Sequence, residues 1–413
     1  MELRFIEGKL AQFGSKPGLE RITKIMAALG DPQDSQRVII VSGTNGKGSV
    51  TSYVASVLAS AGYKAGSYFS PHLVSYNERF KVNGKEISDA RLAKYEQEME
   101  ALFEKGFGMT SFEALTAIAY RYFADEKADF SVMEAGMGGE FDATAIAKPE
   151  VGVITNVELE HTEYLGRTIE DIARTKAGIL KKGSKGVSGC AGITLAAIES
   201  VAEKNGAVSV SALGRDFFVE AKEVSARRTV FNYLGKAHYA ELETLLLGRH
   251  QADNAGTAVA AVEALEGEIG EEAVRRGLRS AANPGRLQIL SRDPLVVIDA
   301  AHNPAGIGSL VSSLPLFDFG RLIVVFGVLA AKDWKEMLRL LGQHADVIIA
   351  NRQRREGAAD PQEVAREASG YAEALVVPDV KESLAAAKKM AGKRDMVLVC
   401  GSIYMLGELL SGG

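Results

Sequence analysis

The chain has 413 residues, 46% of them hydrophobic and 24% charged, with a formal net charge of −5. That length predicts two or three domains, the balance predicts a globular protein with real cores, and the negative charge argues against a nucleic-acid partner. The two cysteines, Cys190 and Cys400, are isolated, which excludes a disulfide framework and any Cys-x-x-Cys metal or redox motif.

Met1-Glu2-Leu3-Arg4 opens a charged amphipathic stretch unlike a signal peptide. No apolar run reaches the roughly 20 residues a bilayer requires, so a cytoplasmic protein without a membrane partner is expected. Val38-Ile39-Ile40-Val41 reads as a buried strand and is followed by Gly43-Thr44-Asn45-Gly46-Lys47-Gly48-Ser49. Val50, Val54, Val57, Leu58 and Ala61 then recur at the spacing of one helix face. A strand, a glycine-rich turn and a helix make a phosphate cradle. Glycines admit anionic oxygens close to backbone N–H groups, the helix N-terminus is partly positive, and Lys47 adds a full charge. Gly48 separates the lysine from the hydroxyl residue, so the spacing departs from the common phosphate-loop pattern.

The strand at 65–69 leads into Ser70-Pro71-His72-Leu73 and on to Asn77-Glu78-Arg79-Phe80. A Ser70 hydroxyl there could meet a metal and Arg79 could hold a carboxylate in a bidentate fork; the segment also reads as a plain surface loop. Thr110 and Glu113 fit a capping box at a helix start. The strand at 129–134 ends on Glu134, before Gly136-Met137-Gly138-Gly139, where a carboxylate opposite a phosphate loop can hold Mg²⁺. Asp142 fits a cap for the next segment. After the strand at 151–155, His161 stands among acids in a loop, and Lys176 lies on a helix from Asp171 to Leu180. Taken alone, the first reads as a solvated histidine and the second as a solvated charge.

Residues 205–245 show short mixed segments and suggest a small antiparallel patch. Gly248-Arg249-His250-Gln251-Ala252-Asp253-Asn254 begins an alanine-rich helix, in which Asn254 could read an adenine edge or satisfy the backbone. Asn283-Pro284-Gly285 interrupts a helical stretch, which predicts one domain at 1–283 and a second at 284–413. The second opens with Arg286 and carries strand-like runs at 295–299, 322–327, 346–350, 375–377 and 396–400. Asp299 and His302 follow the first of these, and Ser402 and Tyr404 the last. Strands alternating with helices predict an α/β fold of parallel sheets covered by helices.

In order, these motifs resemble the folylpolyglutamate synthase and dihydrofolate synthase branch of the Mur ligase family. The resemblance runs from Lys16-Pro17-Gly18-Leu19-Glu20-Arg21 through GTNGKGS, FSPHL…NERF, EAGMGGEFDAT, ELEHTEYLG, RTKAGIL, GRHQADNA, PGRL and DAAHNP to CGSIYMLGEL. It implies a P-loop parallel-sheet ATP-binding domain followed by a smaller Rossmann-like domain. It further implies an ATP-dependent ligase that joins L-glutamate to a pterin or folate acceptor through an acyl phosphate. Gly43, Thr44, Asn45, Gly46, Lys47, Gly48 and Ser49 would cradle the phosphates, with Asn254, Arg286 and Asp299 also contacting ATP. Ser49, Ser70, Glu134, His161 and Lys176 would serve two Mg²⁺ ions, Lys176 as a carbamate. Lys47, Glu134, His161 and Lys176 would thus be the catalytic set. Arg79, His302, Ser402 and Tyr404 would hold glutamate and acceptor, and the protein would be a monomer. Glu140, Ala145, Ala301 and Ala331 depart from the family's commoner basic residue, asparagine, glycine and aspartate. Glu140 reverses a charge, which leaves open a Mur-type ligase with another acid or amine. A nucleotide-driven switch and a silent binding protein are the readings from other classes.

Overall fold

A computed structural model describes residues 3–14 and 16–411, so Met1 and Glu2 of the opening stretch lie outside it. The chain divides into two compact units, one of residues 1–222, 230–245 and 251–282, the other of 223–229, 246–250 and 283–413.

Strands of the first unit are β1 (Arg37–Ser42), β2 (Ala65–Tyr68), β3 (Phe80–Val82), β4 (Lys85–Glu86), β5 (Phe130–Glu134), β6 (Val151–Ile154), β7 (Lys185–Ser188) and β8 (Ser209–Ala212). They form one sheet in the order β4-β3-β2-β5-β1-β6-β7-β8. Pairing from β2 to β8 is parallel, and β3 and β4 add an antiparallel edge. At its centre Val38, Ile39, Ile40 and Val41 are essentially unexposed, as a strand covered on both faces requires. Each such side chain contributes about 1.5–3 kcal/mol on burial.

The helix Lys47–Ser60 follows β1 and buries Val50, Val54, Val57 and Leu58. Ala61 caps it and does not extend it. The helix Glu271–Ser280 packs so closely on it that a Cβ on Gly277 would overlap the backbone of Val57. Two buried polar ties also brace the helix: Tyr53 Oη lies 2.8 Å from Thr244 Oγ1, and Ser52 Oγ donates to Ala282 O at 2.8 Å.

Between residues 205 and 245 run β9 (Phe218–Val224), β10 (Thr229–Leu234) and β11 (His238–Thr244), a three-stranded sheet whose short connections make it an antiparallel meander. The second unit holds β12 (Gln288–Arg292), β13 (Leu295–Ile298), β14 (Leu322–Phe326), β15 (Val347–Ala350), β16 (Glu373–Val376) and β17 (Met396–Cys400), ordered β12-β13-β17-β14-β15-β16. All its pairs are parallel except β12 with β13. The α/β architecture of mainly parallel sheets is therefore as expected. Among the described residues no helix is long and apolar enough to cross a membrane.

Candidate active site

In parallel sheets, loops that bind ligands gather beyond the carboxyl ends of the strands. The phosphate-loop residues lie there, between β1 and β6. Gly43 has φ 140° and Gly46 φ 83°, and a Cβ on Gly43 would strike the side chain of Thr155. The residues after β6 mould the loop. Thr155 Oγ1 donates to Asn45 O at 2.6 Å, Asn45 N to Asn156 Oδ1 at 2.8 Å, and Thr44 N to Asn156 O at 3.0 Å. Lys47 Nζ turns back to donate to Gly43 O and Thr44 O, at 2.8 and 2.9 Å. Gln251 Nε2 donates to the buried Ser49 Oγ at 3.3 Å and its Oε1 accepts from Asn254 Nδ2 at 3.2 Å. The Asn254 amide presses on Gly46, where a Cβ would meet it.

Glu134 ends β5, in register with Val41 of β1. Its Oε2 accepts from Ser70 N at 3.1 Å, and Ser70 Oγ, screened from solvent, has no hydrogen-bond partner among the described residues. The glycine turn that follows is built for close approach. Gly138 O accepts from Ser42 Oγ at 2.5 Å, and a Cβ on Gly139 would overlap the carbonyls of Thr175 and Lys176. Asp142 staples the turn: it accepts from Gly136 N, Met137 N, Thr144 N and Thr144 Oγ1, within 2.6–3.0 Å. It also caps the short 3₁₀ turn Ala143–Ile146.

Lys176, on the helix Ile169–Ala177, is 1% exposed and donates from Nζ to Glu160 Oε1 at 2.7 Å. A helix lysine is ordinarily a solvated charge, but here Gly139 seals against its backbone. Burial, and then the charge of Lys47, pull its pKa down to about 8, against the pull of Glu160. Burial alone would raise Glu160, yet Lys176 and Lys47 outweigh it and hold the carboxyl below its ordinary range. His161, exposed and in left-handed conformation at φ 46°, adds to that field. The structure therefore brings Lys47, Glu160, His161 and Lys176 into one electrostatic neighbourhood.

The loop after β2 is ordered. Glu78 accepts from Leu73 N, Val74 N and Ser75 N within 2.7–2.8 Å. Arg79 Nε donates to His72 Nδ1 at 2.8 Å, and its guanidinium sits over the Tyr76 ring, 5.4 Å from the centroid. The capping box at Thr110 and Glu113 forms, and Arg21 Nε also donates to Glu113, at 3.1 Å, tying Lys16–Arg21 to that helix. Glu140 is exposed, with its N donating to Thr175 O at 3.0 Å and its charge felt by Lys181.

In the second unit Asp299 holds a turn in place, accepting from Leu287 N and Ala301 N, both at 2.8 Å. Burial lowers the pKa of His250, with Asp299 opposing and Arg286 reinforcing that shift. His302 Nδ1 lies 2.9 Å from Ala300 O. Ser402 is 3% exposed and caps the helix Ile403–Leu410, its Oγ accepting from Tyr404 N and Met405 N. That hydroxyl oxygen is thus engaged in helix capping. Tyr404 carries the Arg355 guanidinium 4.7 Å from its ring centroid.

Sequence reasoning did not single out Glu160, Gln251 or His250, although each lies inside a motif it quoted. For Glu160 the only local signal is its place beside His161. Its partner Lys176 is brought in by the fold.

The Mur ligase middle-domain profile matches residues 41–262 and the Mur ligase glutamate ligase domain profile matches residues 285–403. A Bacillus subtilis protein named dihydrofolate synthase/folylpolyglutamate synthase is 35% identical over 98% of this chain and 96% of its own. The structure of Escherichia coli FolC with DHPP and ADP superposes with a TM-score of 0.91 at 31% identity, over 99% of this chain and 95% of that one. A bifunctional folylpolyglutamate synthase/dihydrofolate synthase solved with Mn, AMPPNP and L-glutamate superposes at 0.89, with 30% identity, over 100% of this chain and 98% of that one. The chain belongs to the Mur ligase family, in its folylpolyglutamate synthase and dihydrofolate synthase branch.

Proposed function

We propose that this chain is an ATP-dependent ligase that forms an amide bond between L-glutamate and a folate-type acceptor, dihydropteroate, reduced folates or both, through an acyl phosphate. The observation that carries the reading is the buried Lys176–Glu160 pair beside the phosphate loop, which a plain nucleotide switch does not need. A carboxylate is a poor electrophile, so its oxygen must first take the γ-phosphoryl group and ADP must leave. The loop N–H groups and Lys47 Nζ would then meet the charge of the transferring group, Lys47 exchanging two carbonyl partners for phosphate oxygens. The glutamate amine next attacks the acyl carbon, phosphate departs and the amine loses its proton.

Ser49, Ser70, Glu134 and His161 suit Mg²⁺, because the unpartnered Ser70 Oγ beside the Glu134 carboxylate offers hard oxygen donors. Mg²⁺ held there would supply charge neutralisation at the phosphoryl group. Among the described residues no three His, Cys, Asp or Glu side chains form a metal site by themselves. A carbamate on Lys176 would add the missing oxygen ligand. The uncharged amine would add to CO₂ with loss of one proton, and the carbamate nitrogen would keep an N–H to donate to Glu160. Asn254, Arg286 and Asp299 are proposed to bind ATP, and Arg79, His302, Ser402 and Tyr404 the substrates. The proposal takes the enzyme as a cytoplasmic monomer acting on small molecules alone, with domains at 1–283 and 284–413.

A Mur-type ligase for another acid or amine is the second reading, favoured by the exposed negative charge of Glu140. Phosphate release from Mg-ATP with L-glutamate, comparing dihydropteroate, tetrahydrofolate and no acceptor, tests both. Release that requires glutamate and a pterin, with a product heavier by one glutamyl unit, supports the first. No release with any pterin favours the second, and release without an acceptor sinks both.

A further inference from the structure

Beyond the carboxyl end of β15, two buried amides remain outside the site described above. Gln353 is 2% exposed, and neither Oε1 nor Nε2 has a hydrogen-bond partner among the described residues. Asn351, also 2% exposed, donates from Nδ2 to Ser383 Oγ at 3.2 Å, while its Oδ1 has no partner among the described residues. Buried amide atoms without partners are costly, and each asks for an explanation. Slack in the loop is not the explanation here. Asn351 N donates to Phe326 O, Arg352 N to Pro378 O, Arg354 N to Glu408 Oε2 and Ala359 N to Val328 O, all within 2.8–3.0 Å.

The position is chemically suggestive. The loop stands among the carboxyl ends of β14, β15 and β17, where parallel sheets receive ligands. A Cβ on Gly327, just past β14, would collide with the Asn351 amide, so the glycine leaves room for it. Arg355 reaches the residues after β17 by stacking on Tyr404. Arg352, Arg354 and Arg355 are all exposed, and among the described residues Arg354 alone of the three forms an ion pair, with Glu408 at 3.4 Å. Unpaired neutral amides and exposed guanidiniums on one loop suit a small anion that also carries hydrogen-bond donors. An apolar ligand would leave all three amide atoms unpaired.

We propose that Gln353 is a specificity residue for the amino-acid substrate. Its Nε2 donates to a carboxylate of L-glutamate, Arg355 supplies the countercharge, and Asn351 Oδ1 accepts from the ammonium group. This rests on the ligase reading above. The test is steady-state kinetics of glutamate-dependent phosphate release by the full chain, with ATP and acceptor saturating. Gln353→Leu keeps the side-chain volume and removes both amide atoms. It should raise KM for L-glutamate by about 10- to 100-fold while KM for ATP and acceptor stay within about twofold. Arg355→Gln alters an exposed side chain and should raise the same KM selectively, so it serves if the leucine variant does not fold. An unchanged glutamate KM in whichever variant folds overturns the proposal, as does a rise in all three KM values together. Wild-type protein that shows no glutamate-dependent release overturns the ligase reading itself, and does so before any variant is made.

Discussion

Lys176 and Glu160 meet at 2.7 Å where the charge of Lys47 acts on both, so one carboxylate answers two cations. Losing one member of a buried pair leaves the other charge uncompensated. Glu160→Gln should therefore destabilise the protein at pH 7 by about 2–4 kcal/mol. The cost should shrink near pH 10, where Lys176 carries no charge. Urea unfolding of both proteins at the two pH values checks this; an equal loss at both would contradict the pair's role.

The depressed pKa of Lys176, about 8 against an ordinary 10.5, has a signed consequence for stability. Between those values the unfolded chain holds a proton that the folded chain has released, so stability rises with pH through that window. Below about 8 both states are protonated and the full penalty is present. Lys176→Met, which cannot titrate, should lack this rise when unfolding is followed from pH 7.5 to 10.5.

The same shift leaves roughly one amine in ten uncharged at pH 7 and most of them uncharged at pH 9. A carbamate signal from ¹³C-bicarbonate should accordingly grow over that range and be missing in Lys176→Ala. That variant should still bind ATP, because the phosphate loop is intact, yet fail to ligate. Near-normal ligation by it would remove the carbamate from the mechanism.

Ser70→Ala, Glu134→Gln and His161→Ala should each raise the Mg²⁺ concentration needed for half-maximal activity. Glu134→Gln should have the largest effect because it removes a full charge. A Mg²⁺ titration unchanged in His161→Ala would strike that residue from the ligand set.

Gly43→Ala combines left-handed strain with a collision against Thr155. It should cost about 1–3 kcal/mol and weaken nucleotide binding sharply. Fluorescent-nucleotide titration beside urea unfolding separates the two effects.

The strands most legible in the sequence are those buried on both faces, such as Val38–Val41 and Leu322–Phe326, which leave an unbroken apolar run. Those it passed over are short or polar: Lys185–Ser188 reads KGVS, and β3 and β4 are edge pairs. The phosphate loop is legible because its chemistry is local. The Glu160–Lys176 pair is not, since only the fold brings the two together. Nor is Gln353, because an unpartnered amide leaves no pattern in the chain. The capping of helix Ile403–Leu410 by Ser402 shows the converse, a residue whose motif suggests ligand contact and whose oxygen is engaged locally.

The carbonyls of Gly43 and Thr44 give Lys47 Nζ the acceptors that phosphate oxygens would otherwise offer it. Lys47 is thus parked on two carbonyls, and the turn around it is clasped by Thr155 and Asn156. A phosphate reaching this loop would draw the lysine from its two carbonyls and leave the hydrogen bonds that frame the turn in place, an exchange of partners without refolding.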